Sequence, residues 1–126
     1  MNTKTTKITY WTVTILFVLF MLMDGVTGIM RIEAGQEIMR HLGYPVYILS
    51  ILGIAKVMGA LALLQRQSPL LKEWAYAGFT FHFLGACASR AYAGDSAMLI
   101  ISPLLFLGFM FISYFLWKKL ERLTFA

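Results

Sequence analysis

Three ionisable residues, Asp24, Lys56 and His82, each lie inside a long apolar stretch of the chain. A carboxylate, an ammonium and an imidazole at membrane depth can form an ion pair, relay a proton, or hold the polar head of an otherwise apolar ligand. A charge at mid-membrane costs about 2.5 to 3.5 kcal/mol on insertion scales, so such groups face a bundle interior or a watery cavity rather than lipid. The stretch 73–95, EWAYAGFTFHFLGACASRAYAGD, adds to this inventory. After His82 come the small residues Gly85, Ala86, Cys87, Ala88 and Ser89, then Arg90 and the bounding Asp95. Which chemistry is open to these groups depends on whether helices bring them together.

Other chemistries are poorly supplied. A metal site is not expected, because only one histidine lies in an apolar stretch and no second ligand follows it at i+3 or i+4. Cys87 is the single cysteine, which removes internal disulfides and Cys clusters. It reads as a small packing residue. No nucleophile elbow, phosphate loop, haem motif or CxxC is present. The net charge is +5, but the basic residues stand at segment ends and not in a patch with exposed aromatics, so no nucleic-acid partner is expected.

The elements that must position these groups are membrane helices. Hydrophobic residues make up 60% of the chain, charged residues only 13%, and mean hydropathy is +0.73. Soluble domains carry about 25% charged residues. Apolar segments run over residues 8–30, 46–64, 74–92 and 97–117, each near the roughly 20 residues a crossing needs. Backbone groups cannot go unpaired in lipid, and no segment alternates like a barrel strand. The expected fold is all-α, a single integral-membrane four-helix bundle over residues 1–126. Lys4 and Lys7 before the first segment resemble a signal peptide, but the apolar run is long and no A-x-A-like site follows it, so it reads as a retained span.

Lys4, Lys7, Arg66, Lys72, Lys118, Lys119 and Arg122 fall on one side; Arg31, Arg40 and Arg90 fall on the other, offset by Glu33, Glu37 and Asp95. The positive-inside rule then places both termini in the cytoplasm of a multi-pass inner-membrane protein. Ile38, Met39 and Leu42, interleaved with Glu37, Arg40 and His41, suggest a short amphipathic helix on the outer surface, with Gly43 as its cap and His41 solvated. Pro45 suits the first turn of the next helix, and Asp95 or Ser96 can cap the last one. Pro103 lies inside that last helix and should kink it. With no ionisable group over 97–117, the last helix reads as facing lipid or another subunit.

Depth arithmetic brings the polar groups together. At about 1.5 Å per residue, Asp24 lies about 9 Å from the outer face, Lys56 about 16 Å and His82 about 15 Å. Lys56 leans toward the N-terminus of its helix, hence outward, so its chain can reach Asp24. Gly53, Gly59 and Ala60 flank Lys56, and Gly78, Gly85 and Ala86 flank His82, placing these groups on close-packing faces. A polar pocket opening outward results, lined by Asp24, Lys56 and His82 with Arg31, Arg90 and Asp95 at its mouth. An Asp–Lys pair can equally serve to fix helix register. His82 can equally be a structural residue bonded to a carbonyl or to Ser89.

HLGYP at 41–45, GIAKVMGALAL at 53–63 and LKEWAYAGFTFHFLGACASRAYAGD at 71–95 together resemble the DoxX-like family of small four-helix membrane proteins. The likeness covers residues 42–95 in one ordered run; the first and last helices match in hydrophobic character and position. It implies a plasma-membrane bundle in which Lys56, Glu73, Trp74, Tyr76 and Asp95 matter, without assigning them a reaction. Relatives in the wider superfamily include subunits of quinone-linked oxidoreductases and members of thiol-redox complexes, as well as a receptor-assembly chaperone. A lone cysteine cannot cycle as an intramolecular dithiol, so independent catalysis is not expected. The expectation is an accessory subunit whose pocket holds a quinone or lipid head group. Two alternatives stand beside it: a small proton-coupled transporter using Asp24, and a structural or chaperone-like partner of another membrane protein. Membrane lipids, a homodimer and a second membrane subunit are the partners considered.

Overall fold

The computed structural model describes residues 2–125, and every regular element among them is helical. Helix α1 spans Thr3–Ile29, α2 Glu33–Leu42, α3 Tyr47–Leu64, α4 Pro69–Tyr92 and α5 Ala97–Phe125. Local sequence fixes most ends. The Asn2 side chain accepts the Thr5 amide at the start of α1. Ser68 accepts the Leu71 amide ahead of α4, with Pro69 in its first turn. Gly43 ends α2 in the left-handed conformation, as expected for a cap without a side-chain clash. Between α3 and α4, the Gln65 carboxamide accepts from the Gln67 and Ser68 amides and donates to the Ala62 and Ser68 carbonyls, so one side chain folds the whole turn.

Several boundaries differ from expectation. Pro45 stands two residues ahead of α3 rather than in its first turn. Helix α4 begins at Pro69, so Lys72 belongs to a helix and not to a loop. Asp95 does not cap α5; its carboxylate is taken by His41 and Arg90. As expected, helix α5 contains Pro103 in its interior. Three helices, α1, α3 and α5, are long and apolar enough to cross a membrane. Helix α4 has the length, but Lys72, Glu73, His82 and Arg90 dilute its apolar content.

The four long helices pack side by side: α1 lies between α3 and α5, and α4 bridges α5 and α3. The beginning of α1, the α3–α4 turn and the last turns of α5 meet at one end, where Thr3, Arg66 and Leu120 border the same cavity. Helix α2 crosses the opposite end. The core joins Tyr10, Phe17, Val18 and Met21 of α1 to Leu63, Tyr76, Phe79 and Phe83, with Met110 and Trp117 from α5. Phe17 meets Phe79 edge to face at 5.3 Å. Helix α5 is therefore a core helix on one face, with Met110 and Ser113 fully enclosed, and an exposed apolar wall only on the other, at Met98, Leu105 and Phe115.

The tightest helix contact is between α1 and α3. A Cβ built on Gly53 would lie 2.6 Å from the Gly25 carbonyl oxygen and 2.9 Å from the Ile29 amide nitrogen. Gly25 in turn would press on the Gly53 carbonyl at 2.9 Å. Lipid tails supply no hydrophobic drive between helices, so such small-residue contacts hold membrane helices together. Gly78, on α4, faces open space. Gly53→Ala is expected to cost about 1–3 kcal/mol through overpacking. Gly78→Ala should be neutral or gain up to about 1 kcal/mol of helix propensity. Melting midpoints of the two variants in one detergent check this: G53A should fall well below wild type and G78A should not.

Candidate functional site

Close approach at Gly25 and Gly53 puts the next turns of α1 and α3 in register. Asp24 adjoins Gly25, and Lys56 sits three residues after Gly53. The Lys56 Nζ donates to Asp24 Oδ2 in an ion pair between the helices. The pair is not sealed in. The Lys56 side chain is 17% exposed, whereas Asp24 is 55% exposed. Asp24 thus faces a cleft beside the helix contact.

That cleft is a cavity of about 470 Å³ in the half of the bundle capped by α2. Asp24, Lys56, His82, Ser89 and Arg90 contribute its polar lining; Leu52, Phe83 and Phe106 contribute to its apolar walls. Its roof is α2, whose Met39 is buried and whose Ile38 and Leu42 also line the space. The amphipathic helix therefore turns its apolar face onto the bundle and not onto the membrane surface. Two hydrogen bonds tie this roof down: His41 to Asp95, and the Tyr44 hydroxyl to Ser89 Oγ at 2.6 Å. A smaller space of about 250 Å³ on the other side of the Asp24–Lys56 pair runs under α2 past Thr27, Gly28 and Gly35.

His82 makes no side-chain hydrogen bond among the described residues and lies edge-on to Phe83 at 5.3 Å. Ser89, one of the two partners considered for it, is taken by Tyr44. His82 and Lys56 also line a second space, a groove of about 850 Å³ between α3 and α4. Its walls are apolar, with Leu61, Trp74 and Phe81 among them. Leu52, Lys56, Phe81 and His82 are common to the groove and the polar cavity.

Of the six site residues read from the sequence, four border one cavity: Asp24, Lys56, His82 and Arg90. Asp95 does not line it, but holds Arg90 at 3.1 Å and His41 on the roof. Arg31 stands apart in the α1–α2 turn, exposed, with a left-handed φ of 53° and its Nε on Ser50 Oγ at 2.8 Å. Its carbonyl accepts from Gln36, which braces the turn into α2.

Sequence reasoning missed a polar network at the other end. Lys72, only 5% exposed, donates to the Tyr10 hydroxyl at 2.7 Å. One turn deeper, Ser113 Oγ shares hydrogen bonds with Thr14 at 2.6 Å and Tyr76 at 2.7 Å. The available signal was the i, i+4 step from Tyr10 to Thr14 and from Lys72 to Tyr76.

The His41 hydrogen bond, helped by Arg90, holds the Asp95 carboxyl below the usual carboxylate range, against the opposing effect of burial. A carboxyl depressed in the folded state adds stability above its unfolded value, near 3.9, and loses it as pH falls through the folded value. Asp95→Asn should therefore melt below wild type at neutral pH, and the gap should close as pH drops below about 4. A gap that persists undiminished in acid would place its origin elsewhere than the carboxylate.

No curated protein and no solved structure matches the chain. The family model described as the DoxX-like family does match, over residues 12–113. The match runs from the third turn of α1 to the middle of α5 and takes in every residue of the cavity, a wider span than the 42–95 stretch that carries the motifs. An all-helical chain with three membrane-length apolar helices, matched over four-fifths of its length, belongs to the DoxX-like family of membrane proteins.

Proposed function

We propose that this protein is a four-span accessory subunit of the inner membrane that holds a quinone or lipid head group in the cavity beneath α2. One observation carries the reading: Lys56 and His82 stand where a polar cavity joins an apolar groove. A head group would occupy the cavity while its chain lay in the groove between α3 and α4, open toward lipid. Ligand sites span roughly 300–1,000 Å³ with a few convergent polar groups, and both spaces fall in that range. The Lys56 ammonium has three N–H donors and Asp24 takes one, leaving others for a quinone carbonyl or a phosphate oxygen. His82 can donate or accept beside it. A bound quinone would supply redox chemistry; the chain's own groups bind and orient it.

Supporting the four-span arrangement, α4 packs between α3 and α5 with Phe79 and Phe83 in the core, so its polar residues need not meet lipid. The first turn of α1 and the last turns of α5 lie at the end that carries Lys7, Arg66, Lys72 and Lys118, and by the positive-inside rule this basic bias favours a cytoplasmic placement.

Solvent extraction of protein purified in mild detergent, followed by mass spectrometry, tests the proposal. A quinone or phospholipid should co-purify near stoichiometrically. Lys56→Met should reduce retention about tenfold or more, the worth of a hydrogen bond from a charged donor. His82→Ala should reduce it less. Protein that carries neither class of molecule and is not stabilised by added quinone or lipid overturns the reading. Proton-coupled uptake lost in Asp24→Asn would replace it with transport.

A further inference from the structure

The end where α1 begins and the last turns of α5 lie holds a second cavity, about 350 Å³, built from different residues and separate from the site beneath α2. Three cations line it: Lys7 from α1, Arg66 from the α3–α4 turn and Lys72 from α4. Lys72 is the unusual one. Its ammonium is buried, and among the described residues no carboxylate pairs with it. A buried charge is costly unless paired. What surrounds Lys72 is aromatic: its Nζ lies 5.1 Å from the Tyr10 ring, 5.3 Å from Trp11 and 5.5 Å from Trp117. Cation–π contacts offset part of the cost, and the Tyr10 hydroxyl takes one of three N–H donors.

The acids nearby are already engaged. Glu121 at the rim and Glu73 on α4 both contact Lys118. The Arg66 guanidinium carbon lies 5.8 Å from the centre of the Trp11 ring, on the same wall. The first turn of α4, at Ser68 and Pro69, also borders the cavity and adds the positive end of a helix. Every fixed charge aimed into this space without a partner is positive.

We propose that this cavity binds a phosphate-bearing anion, with Lys72 at its base and Lys7 and Arg66 at its rim. Placed at the end of a membrane bundle and walled by Trp11 and Trp117, it is positioned for the phosphodiester of an anionic lipid in the adjacent leaflet. Arg66 can grip two phosphate oxygens at once, while Lys72 acts as a point charge below them.

The full-length protein in detergent, titrated with short-chain phosphatidylglycerol, phosphatidylcholine or inorganic phosphate and read by melting midpoint and native mass spectrometry, tests this. Phosphatidylglycerol should bind about tenfold tighter than phosphatidylcholine, and K7A and R66A should each weaken it about fivefold, from roughly one lost charge contact apiece. K72M should abolish the preference; should it not fold, the K7A/R66A double variant, altered only at exposed positions, carries the test. Stabilisation by inorganic phosphate without lipid preference, lost in the same variants, assigns the site to free phosphate. Equal binding of both lipids with no response to phosphate, or a preference unchanged in K7A/R66A, overturns the proposal.

Discussion

The structure depends first on the contact of Gly25 with Gly53. Two backbones meet there with no side chain between them, and that proximity lets Lys56 reach Asp24. Either charge alone in an apolar span costs several kcal/mol; together, beside a cavity that admits solvent, each lowers the cost of the other. The exposure of Asp24 matters here. A pair meant only to join two helices would be better enclosed, whereas this one presents its carboxylate and remaining ammonium protons to an open space.

From that contact, a tightly packed middle separates the cavity beneath α2 from the smaller cavity at the other end. Toward the termini, Phe17, Phe79 and Met110 fill the interior, and the Thr14–Ser113–Tyr76 bonds cross it. Toward α2, the helices present Gly85, Ala86 and Ser89 where larger residues would fill the gap, and the space stays open beneath a roof held by His41 and Tyr44. Close packing in the middle supports a preformed cavity beneath α2.

Much of this was legible from residue order alone. The length of the apolar runs located the long helices, because lipid admits few other backbone solutions. Rise per residue placed Asp24 and Lys56 within reach, since both lie on regular helices with known ends. What escaped had a common cause. Lys72 read as a loop charge because its partner Tyr10 is 62 positions away, and Thr14 meets Ser113 across 99. Long-range pairs of ordinary polar residues leave no local signature. The role of α2 was hidden similarly: an amphipathic face fits a membrane surface as well as a bundle, and only the Met39, His41 and Tyr44 contacts decide between them.

The central claim is that the Asp24–Lys56 pair is the floor of a binding site and more than a clamp between α1 and α3. A double-mutant cycle read in two ways addresses it most directly. Asp24→Asn, Lys56→Met and the double variant would each be assayed for melting midpoint and for retained quinone or lipid. Expected is a double variant that recovers most of the stability lost by the single variants, because no unpaired charge remains, yet retains no more ligand than Lys56→Met alone. A double variant that recovers both stability and ligand, or single variants that keep full ligand occupancy, would contradict it and leave the pair a structural clamp.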